Sequence, residues 1–325
     1  MISFAFYLGF LLIFVVFAVY AERKTAAFIQ NRLGPMEVGP KGILQTIADL
    51  LKMLQKEDIR ASAIDVIPFL IAPFIVFAAV FTGYAVLPLN AQLAGSTITS
   101  GVFFLLAIVS LDVLGILMAG WASNNKYSLY GAMRSVAQIV SYEVPLGLSV
   151  LCVIILTGTL DLQIISRLQF GNGILSWNII YYPILIIPFI IFFISGLAES
   201  NRTPFDLPES ESELIGGYHT EYSGFRWGMF MLSEYGMMLL LAILGVVLFF
   251  GGWNSPLPGM LDGPIWGTFW LMLKSLLLIF VQIWVRWTFP RLRVDQLMSL
   301  SWKYLTPIAI LMLFVCALWK LWIIS

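Results

Sequence analysis

The stretch SVAQIVSYEVPLGLSVLCVIILTG, residues 135–158, is 24 residues long and holds one charged side chain, Glu143. About 20 apolar residues are enough to cross the hydrocarbon core of a bilayer. Within lipid, only a helix or a closed barrel satisfies every backbone polar group, and a run this long predicts a helix. Pro145 lacks an N–H, and its ring crowds the carbonyl of Ser141. We therefore expect a kinked helix that admits water beside Glu143.

The composition extends this prediction to the whole chain. Of its 325 residues, 60% are hydrophobic and 11% are charged, whereas a soluble domain has about 45–50% apolar and about 25% charged residues. Lipid must therefore solvate most of residues 1–325, which we interpret as a single transmembrane domain. Eighteen basic and eighteen acidic residues cancel, which removes any argument from net charge for a nucleic-acid partner.

Eight apolar runs have the required length, so the predicted fold class is an all-α integral membrane protein with eight transmembrane helices. Eight crossings place both termini on one side of the membrane. The runs are Ile2–Ala21, Val66–Leu87, Gly101–Trp121, Ser135–Gly158, Ile179–Ala198, Trp227–Phe250, Gly267–Trp287 and Tyr304–Ile323.

The distribution of basic residues predicts the orientation. Fifteen of the eighteen Lys and Arg residues lie in the connections after the first, third, fifth and seventh runs, when Arg286 at the end of the seventh run is counted with the connection that follows it. Because basic connections stay on the inner side of a membrane, these connections should face the cytoplasm, or the matrix in an organelle. We expect a multi-pass protein of the bacterial inner (plasma) membrane, or of the mitochondrial inner membrane if it is organellar, with both termini on the outer side.

The first inner connection contains an amphipathic segment. Its apolar residues Ile43, Ile47, Leu50, Leu51 and Leu54 recur at helical spacing, and polar residues mark the opposite stripe. A helix of this kind lies in the plane of the membrane interface. A helix that lies on the protein surface without a function is the alternative.

Several ionisable residues fall within the predicted spans or at their ends. Each costs about 2.5–3.5 kcal/mol on insertion scales, so a chain that keeps several either uses them or pairs them. The acids are Asp112, Glu143, Glu199 and Glu234, and the base is Lys274. Four carboxylates in four spans suggest a polar interior path, because buried carboxyl groups can exchange protons near neutral pH. In the alternative interpretation, Lys274 neutralises one of them and the others reach interfacial water.

Redox and metal centres are excluded by residue counts. His219 is the only histidine, and Cys152 and Cys316 are the only cysteines. A haem with two histidine ligands, an iron–sulfur cluster and a paired zinc site each need more ligands than these. We therefore expect no metal and no cofactor bound by this chain, so that a partner must supply any electrons.

The connection after the fifth run is acidic. It reads ESNRTPFDLPESESELIGGYHTEYSGFR, residues 199–226, with six acids against two arginines. Inner connections are usually basic, so this charge, together with the stiffening by Pro204 and Pro208, indicates a folded functional segment. A solvated, disordered loop is the alternative.

This loop also resembles a known family. AESNRTPFDLPESESEL (198–214) and GYHTEYSG (217–224) are similar to the signature loop of the membrane subunit at the quinone site of proton-translocating NADH:quinone oxidoreductase, respiratory complex I. In that family the bacterial member is called the H subunit, and the mitochondrial member is called subunit 1. The resemblance continues through residues 21–58, 119–143 and 285–303, and it covers essentially the whole chain.

The resemblance implies a function and a set of site residues. It implies eight spans plus an in-plane helix, which enclose a cavity for a lipid quinone together with neighbouring peripheral subunits. The quinone-cavity residues carried over from the family are Arg32, Asp206, Glu209, Glu211, Glu213 and Arg286. The proton path carried over comprises Glu199, Glu143 and Glu234, with Asp112 as a further member.

The resemblance also implies partners. FMN and iron–sulfur clusters are expected in partner subunits, ubiquinone or another lipid quinone is the substrate, and antiporter-like subunits of the membrane arm receive the coupling signal. Two other functions remain open from the residues alone. One is the related membrane subunit of an energy-converting hydrogenase, and the other is an autonomous ion transporter, which also needs intramembrane acids.

Overall fold

The computed structural model describes residues 2–93, 98–207, 216–258 and 263–324, and within these ranges every regular element is helical. The predicted all-α class is therefore confirmed for this part of the chain. The α-helices are α1 Ile2–Ile29, α2 Gln45–Gln55, α3 Val66–Gly83, α4 Gly101–Val109, α5 Leu111–Ala122, α6 Lys126–Thr157, α7 Leu162–Leu168, α8 Asn178–Tyr181, α9 Ile186–Glu199, α10 Gly224–Phe249, α11 Pro264–Thr288, α12 Val294–Ser299 and α13 Thr306–Ile324.

Seven helical segments of the described residues are long and apolar enough to cross a membrane, which makes the chain a multi-pass membrane protein. They are Ala5–Ile29, Val66–Gly83, Gly101–Ala122, Lys126–Thr157, Gly224–Phe249, Pro264–Thr288 and Val294–Trp322. The run predicted at Ile179–Ala198 is instead divided. Tyr182 has a non-helical conformation (φ −118°, ψ 86°) that separates α8 from a 3₁₀ turn at Pro183–Leu185. What remains is a shorter apolar helix, Pro183–Glu199.

Helix α10 lies at the centre of the molecule. Every residue from Tyr235 to Phe249 is buried, and α3, α9, α11 and α1 pack around it. Small residues permit these close approaches. A Cβ at Gly83 of α3, for example, would lie 2.5 Å from Cδ1 of Leu240. A helix enclosed on all sides has to be apolar all round, and this explains the absence of charged residues from Tyr235 to Phe249.

Several predicted span boundaries were wrong. Helix α6 begins at Lys126, nine residues before Ser135, because the side chain of Asn125 caps it by accepting a hydrogen bond from the backbone N–H of Tyr127 (3.0 Å). The last span begins at Val294, not at Tyr304, because a π-helix at Leu300–Leu305 joins α12 to α13. Hydropathy alone cannot locate an end at which the helix continues into polar residues.

Pro145 does not interrupt α6, which runs from Lys126 to Thr157. The carbonyl of Ser141, which the proline ring leaves without its helical donor, accepts a hydrogen bond from the hydroxyl of Ser301 at 2.6 Å. A side chain of a neighbouring helix therefore replaces the lost donor at this carbonyl.

Among the described residues, Lys274 binds backbone carbonyls and no carboxylate, so the alternative that it neutralises one of the intramembrane acids was wrong. Its ammonium donates hydrogen bonds to the carbonyls of Phe250 (2.8 Å), Gly252 (2.9 Å) and Asn254 (2.7 Å). It also lies 4.6 Å from the centre of the Trp177 ring. Lys274 thus satisfies carbonyls beyond the end of α10, where an α-helix leaves its last carbonyls without partners.

Candidate functional site

Two of the predicted proton-path carboxylates line one cavity. It has a volume of about 230 Å³ and is bounded by residues of α4, α6, α9 and α10. Glu143 enters it from α6 and Glu199 from the end of α9. Its remaining lining is almost entirely apolar and comprises Leu105, Leu106, Val109, Ser110, Leu146 and Leu241.

Asp112 lies beside this pair. It is in the first turn of α5, just after the interruption between α4 and α5 at Ser110. Glu199 interacts electrostatically with both Glu143 and Asp112. Within the described ranges, Oδ1 of Asp112 and Oε2 of Glu199 are buried with no hydrogen-bond donor in reach. Three acids predicted from the sequence are therefore brought together around an apolar cavity, and we name Asp112, Glu143 and Glu199 the carboxylate cluster.

Glu234, the fourth predicted carboxylate, lies apart from the carboxylate cluster. It precedes Leu241, which lines the cavity, by about two turns of α10, or about 10 Å along the helix axis. Its carboxylate accepts a hydrogen bond from the hydroxyl of Tyr218 at 3.1 Å. Tyr218 belongs to the short 3₁₀ turn Gly217–His219 that follows the acidic stretch. Glu234 thus connects that turn to α10.

A second cluster surrounds Glu22, a residue that the sequence analysis did not single out. Glu22 is only 6% exposed, near the end of α1. Its carboxylate forms ion pairs with Arg286 of α11 and with Arg202 (3.4 Å), which follows α9. It also accepts a hydrogen bond from the hydroxyl of Tyr235 at 2.6 Å. We name Glu22, Arg202, Tyr235 and Arg286 the Glu22 cluster.

Two cations and an aromatic ring surround the Glu22 carboxylate. The guanidinium of Arg202 lies 4.1 Å from the centre of the Tyr235 ring, a cation–π distance. One carboxylate thus faces two guanidinium groups within this cluster. A buried acid near the end of the first span was visible in the sequence, but its partners are distant in the chain, and only the fold brings them together.

The remaining predicted quinone-cavity residues lie in different surroundings. Asp206 is 2% exposed and forms an ion pair with Arg291 at 3.0 Å. Arg32 is exposed, and its Nε donates to Oε1 of Gln30 at 2.7 Å. The structure therefore places Arg32 apart from both buried clusters. Glu209, Glu211 and Glu213 lie outside the described residues.

His219 is partly buried near the acidic stretch. Burial lowers the pKa of His219 to about 4, and the opposing effect of the Asp206 carboxylate is smaller. Its ring makes edge contacts with Tyr218 and Trp227, with centroids 5.1 Å and 6.1 Å apart. The imidazole is therefore neutral at neutral pH. Among the described residues, no group of three His, Cys, Asp or Glu side chains could hold a metal ion.

Comparison with known proteins identifies the family. Residues 2–317 match the family described as NADH dehydrogenase. The chain is 50% identical to the NADH-quinone oxidoreductase protein of Cytophaga hutchinsonii that is named as its second H subunit, with 98% of each chain covered. It is 51% identical to the NADH-quinone oxidoreductase H subunit of Chlorobaculum tepidum, covering 94% of this chain and 88% of the relative. The corresponding protein of a Geobacillus species is 50% identical, with coverage of 94% and 90%.

These matches favour the H subunit of NADH-quinone oxidoreductase over the two alternatives, an autonomous transporter and a hydrogenase subunit. The motifs quoted from the sequence lie within the matched region, and the resemblance drawn from them is confirmed. The chain belongs to the NADH dehydrogenase family, together with these H subunits of NADH-quinone oxidoreductase.

Proposed function

We propose that this chain is the membrane subunit that encloses the quinone cavity of a proton-translocating NADH:quinone oxidoreductase and transmits quinone reduction to proton transfer. The observation that supports this most directly is the cavity of about 230 Å³ that Glu143 and Glu199 line, with Asp112 beside it. Carboxyl groups kept in an apolar enclosure are costly, and family membership gives them a use. Electrons reach the quinone from FMN and iron–sulfur clusters in partner subunits.

The Glu22 cluster and Asp206 form the protein side of the quinone path. Arg286, one of the residues carried over from the family, belongs to the Glu22 cluster. The two arginines of this cluster suit a quinone that gains negative charge on reduction, because nearby cations stabilise an anionic headgroup. Arg32 lies at the cavity entrance near α2, and Glu209, Glu211 and Glu213 continue the acidic loop from Asp206.

Protons then follow the acids of the membrane interior. Reduction changes the charge near the acidic loop and is sensed by Asp206 and by Glu234 through Tyr218. The change reaches the carboxylate cluster, and from there it continues to the antiporter-like subunits of the membrane arm. Glu199 stands at the junction, because it ends α9 and begins the acidic loop.

The chain crosses the membrane eight times, with Pro183–Glu199 as the fifth span. Its 17 residues extend about 25 Å as a helix, which is short, but α8 lies directly before it in the chain and extends the same run. Helix α2 lies in the interface with Ile47, Leu50, Leu51 and Leu54 exposed to lipid. Both termini face the outer side of a bacterial inner membrane, as the basic connections predict.

Photolabelling of the assembled oxidoreductase with an azido-quinone tests this proposal. We expect labelled peptides from the end of α1, from residues 199–226 and from the end of α11, and we expect competition by unlabelled quinone. Labelling confined to partner subunits would contradict the cavity assignment.

As a second test, the isolated chain and the assembled complex are reconstituted into separate liposomes. NADH with quinone should acidify only liposomes that contain the complex, and ion transport by the isolated chain would favour a transporter.

A further inference from the structure

We propose that Ser301 is a positioning residue of the proton path, whose hydroxyl holds the turn of α6 that presents Glu143 to the cavity. This inference rests on the proposed function and names a residue outside the carboxylate cluster. Ser301 is completely buried, and its hydroxyl donates to the carbonyl of Ser141 at 2.6 Å. Ser141 precedes Glu143 by two residues, on the turn that Pro145 deprives of a backbone hydrogen bond.

The hydrogen bond of Ser301 sets the local shape of α6. An internal proline leaves one helix carbonyl without a donor, and within a membrane another group has to satisfy that carbonyl. Here a hydroxyl on another helix takes that role, and it does so immediately before Glu143. Removing the hydroxyl would leave a buried carbonyl without a donor, and the turn would bend or take up water. Either change would alter the direction in which Glu143 enters the cavity.

The segment that contains Ser301 is itself irregular. Leu300–Leu305 is a π-helix, in which the N–H of Thr306 reaches the carbonyl of Ser301. The next residue, Trp302, donates from its indole nitrogen to the hydroxyl oxygen of Ser141 at 3.3 Å. Two successive residues of the π-helix thus bind one residue of α6. Single π turns within longer helices occur often at functional sites.

The same segment reaches the acidic loop at its other end. Arg291 forms an ion pair with Asp206 at 3.0 Å, and the N–H of Leu292 donates to the carbonyl of Pro204 at 3.1 Å. Residues 291–302 therefore contact the beginning of the acidic loop at one end and the turn before Glu143 at the other. A displacement of the loop at Asp206 can move Glu143 through α12, without a proton passing along this route.

Few ionisable groups face Glu143 in the described structure. Glu199 enters the same cavity from α9, and Asp112 of α5 acts on Glu199. The cavity walls from α4 and α10 are apolar, with Leu106 and Leu241 among them. We expect these three carboxyl groups to contribute to the pH dependence of turnover, and their contribution should change when the direction of Glu143 changes.

The test compares Ser301→Ala, Ser301→Thr and Ser149→Ala in the assembled oxidoreductase. Ser149 is a matched control, because it is also completely buried and its hydroxyl donates within α6, to the carbonyl of Leu146 at 2.6 Å. For Ser301→Ala we expect turnover to fall about 3- to 10-fold per assembled complex, as expected for a lost bond to a buried carbonyl. The KM for quinone should not change, and a limb of the pH profile should shift by about half a unit or more. Ser301→Thr keeps the hydroxyl and should restore the wild-type profile.

Three results would overturn the inference. They are a wild-type pH profile in Ser301→Ala, an equal shift in Ser149→Ala, and a loss in Ser301→Thr as large as that in Ser301→Ala. If Ser301→Ala does not assemble, Ser301→Cys replaces it in the test. The S–H of cysteine is a weak donor, so a wild-type pH profile in Ser301→Cys would contradict the role of the hydrogen bond. If Glu143→Gln lowers turnover while the Ser301 variants do not, only this inference fails. If Glu143→Gln has no effect on turnover, both the proposed proton path and the role of Ser301 are contradicted.

Discussion

The guanidinium of Arg286 in α11 forms an ion pair with the carboxylate of Glu22 in α1, and Arg202 binds the same carboxylate from the end of α9. Three elements that are distant in the chain thus meet at one buried acid. Glu22 is the anion that both arginines share. A variant without this carboxylate would therefore remove one ion-pair partner from each arginine in a largely buried site. This relationship has a direct experimental consequence.

Glu22→Gln should destabilise the subunit and weaken quinone binding. Removing one partner of a buried ion pair costs about 3–5 kcal/mol, so the amount of assembled complex in membranes should fall, and the KM for quinone should rise in what remains. Assembly is measured by NADH–ferricyanide activity, and the KM by quinone titration. The exposed Glu37 is a matched control, and Glu37→Gln should change neither quantity. Wild-type assembly and KM in Glu22→Gln would refute the role of the cluster.

Glu143→Gln should lower coupled turnover about tenfold or more, because a glutamine fills the same space without exchanging a proton. NADH–ferricyanide activity should remain, since that reaction does not use the membrane path. The measurement is NADH-driven proton uptake into membrane vesicles, with the exposed Glu57 changed to Gln as the control. Unchanged proton uptake in Glu143→Gln would remove this residue from the path.

Asp206 and Arg291 should behave as one unit. Asp206→Asn and Arg291→Gln each break the same ion pair, so each should raise the KM for quinone, and the double variant should add little. For residues in contact, the expected coupling is about 0.5–3 kcal/mol. A double-mutant cycle on kcat/KM measures it. Full additivity of the two changes would show that the ion pair does not hold the loop.

Lys274→Met should destabilise the chain without breaking proton coupling. The ammonium satisfies three backbone carbonyls, and each buried carbonyl left without a donor costs about 1–3 kcal/mol. We expect a lower Tm of the purified complex, measured by differential scanning fluorimetry, with a wild-type ratio of protons to electrons. A wild-type Tm together with lost proton transport would instead place Lys274 in the path.

His219 should make the fold sensitive to acid. Burial lowers the pKa of His219 to about 4, whereas an unfolded histidine has a pKa near 6.5. Between these values only the unfolded state takes up the proton, so stability is lost as the pH falls below about 6.5. At pH 5 the loss amounts to about 2 kcal/mol.

His219→Gln should therefore lose less stability than the wild type when the pH falls from 7.5 to 5. Thermal unfolding of the complex across this range measures the difference. An identical slope in the two proteins would mean that the imidazole is not shielded from water.

Much of the fold followed from local properties of the sequence. The run at residues 135–158 predicted a spanning helix, because a single segment of that length can satisfy its backbone hydrogen bonds in lipid only as a helix. Helix α6 contains residues 135–157 of this run. Segment ends were less certain, as Lys126 and Val294 show. A helix can extend past the hydrocarbon, and hydropathy does not record where its hydrogen bonds stop.

The candidate site divides in the same way. Asp112, Glu143, Glu199 and Glu234 were visible as acids in apolar runs, since the cost of inserting a charge depends on local sequence. Which of them meet was not visible. The structure gathers the first three and places Glu234 beside Tyr218 instead.

The sequence by itself determined that this chain is a membrane protein, that its long apolar runs are helical and which acids these runs contain. Each of these properties depends on residues within one or two helical turns. Only the tertiary structure decided that Glu22 unites Arg202 and Arg286, that Lys274 caps backbone carbonyls, and that Ser301 completes the turn before Glu143. These contacts join helices that are far apart in the chain, so they depend on packing directions that no local pattern of residues contains.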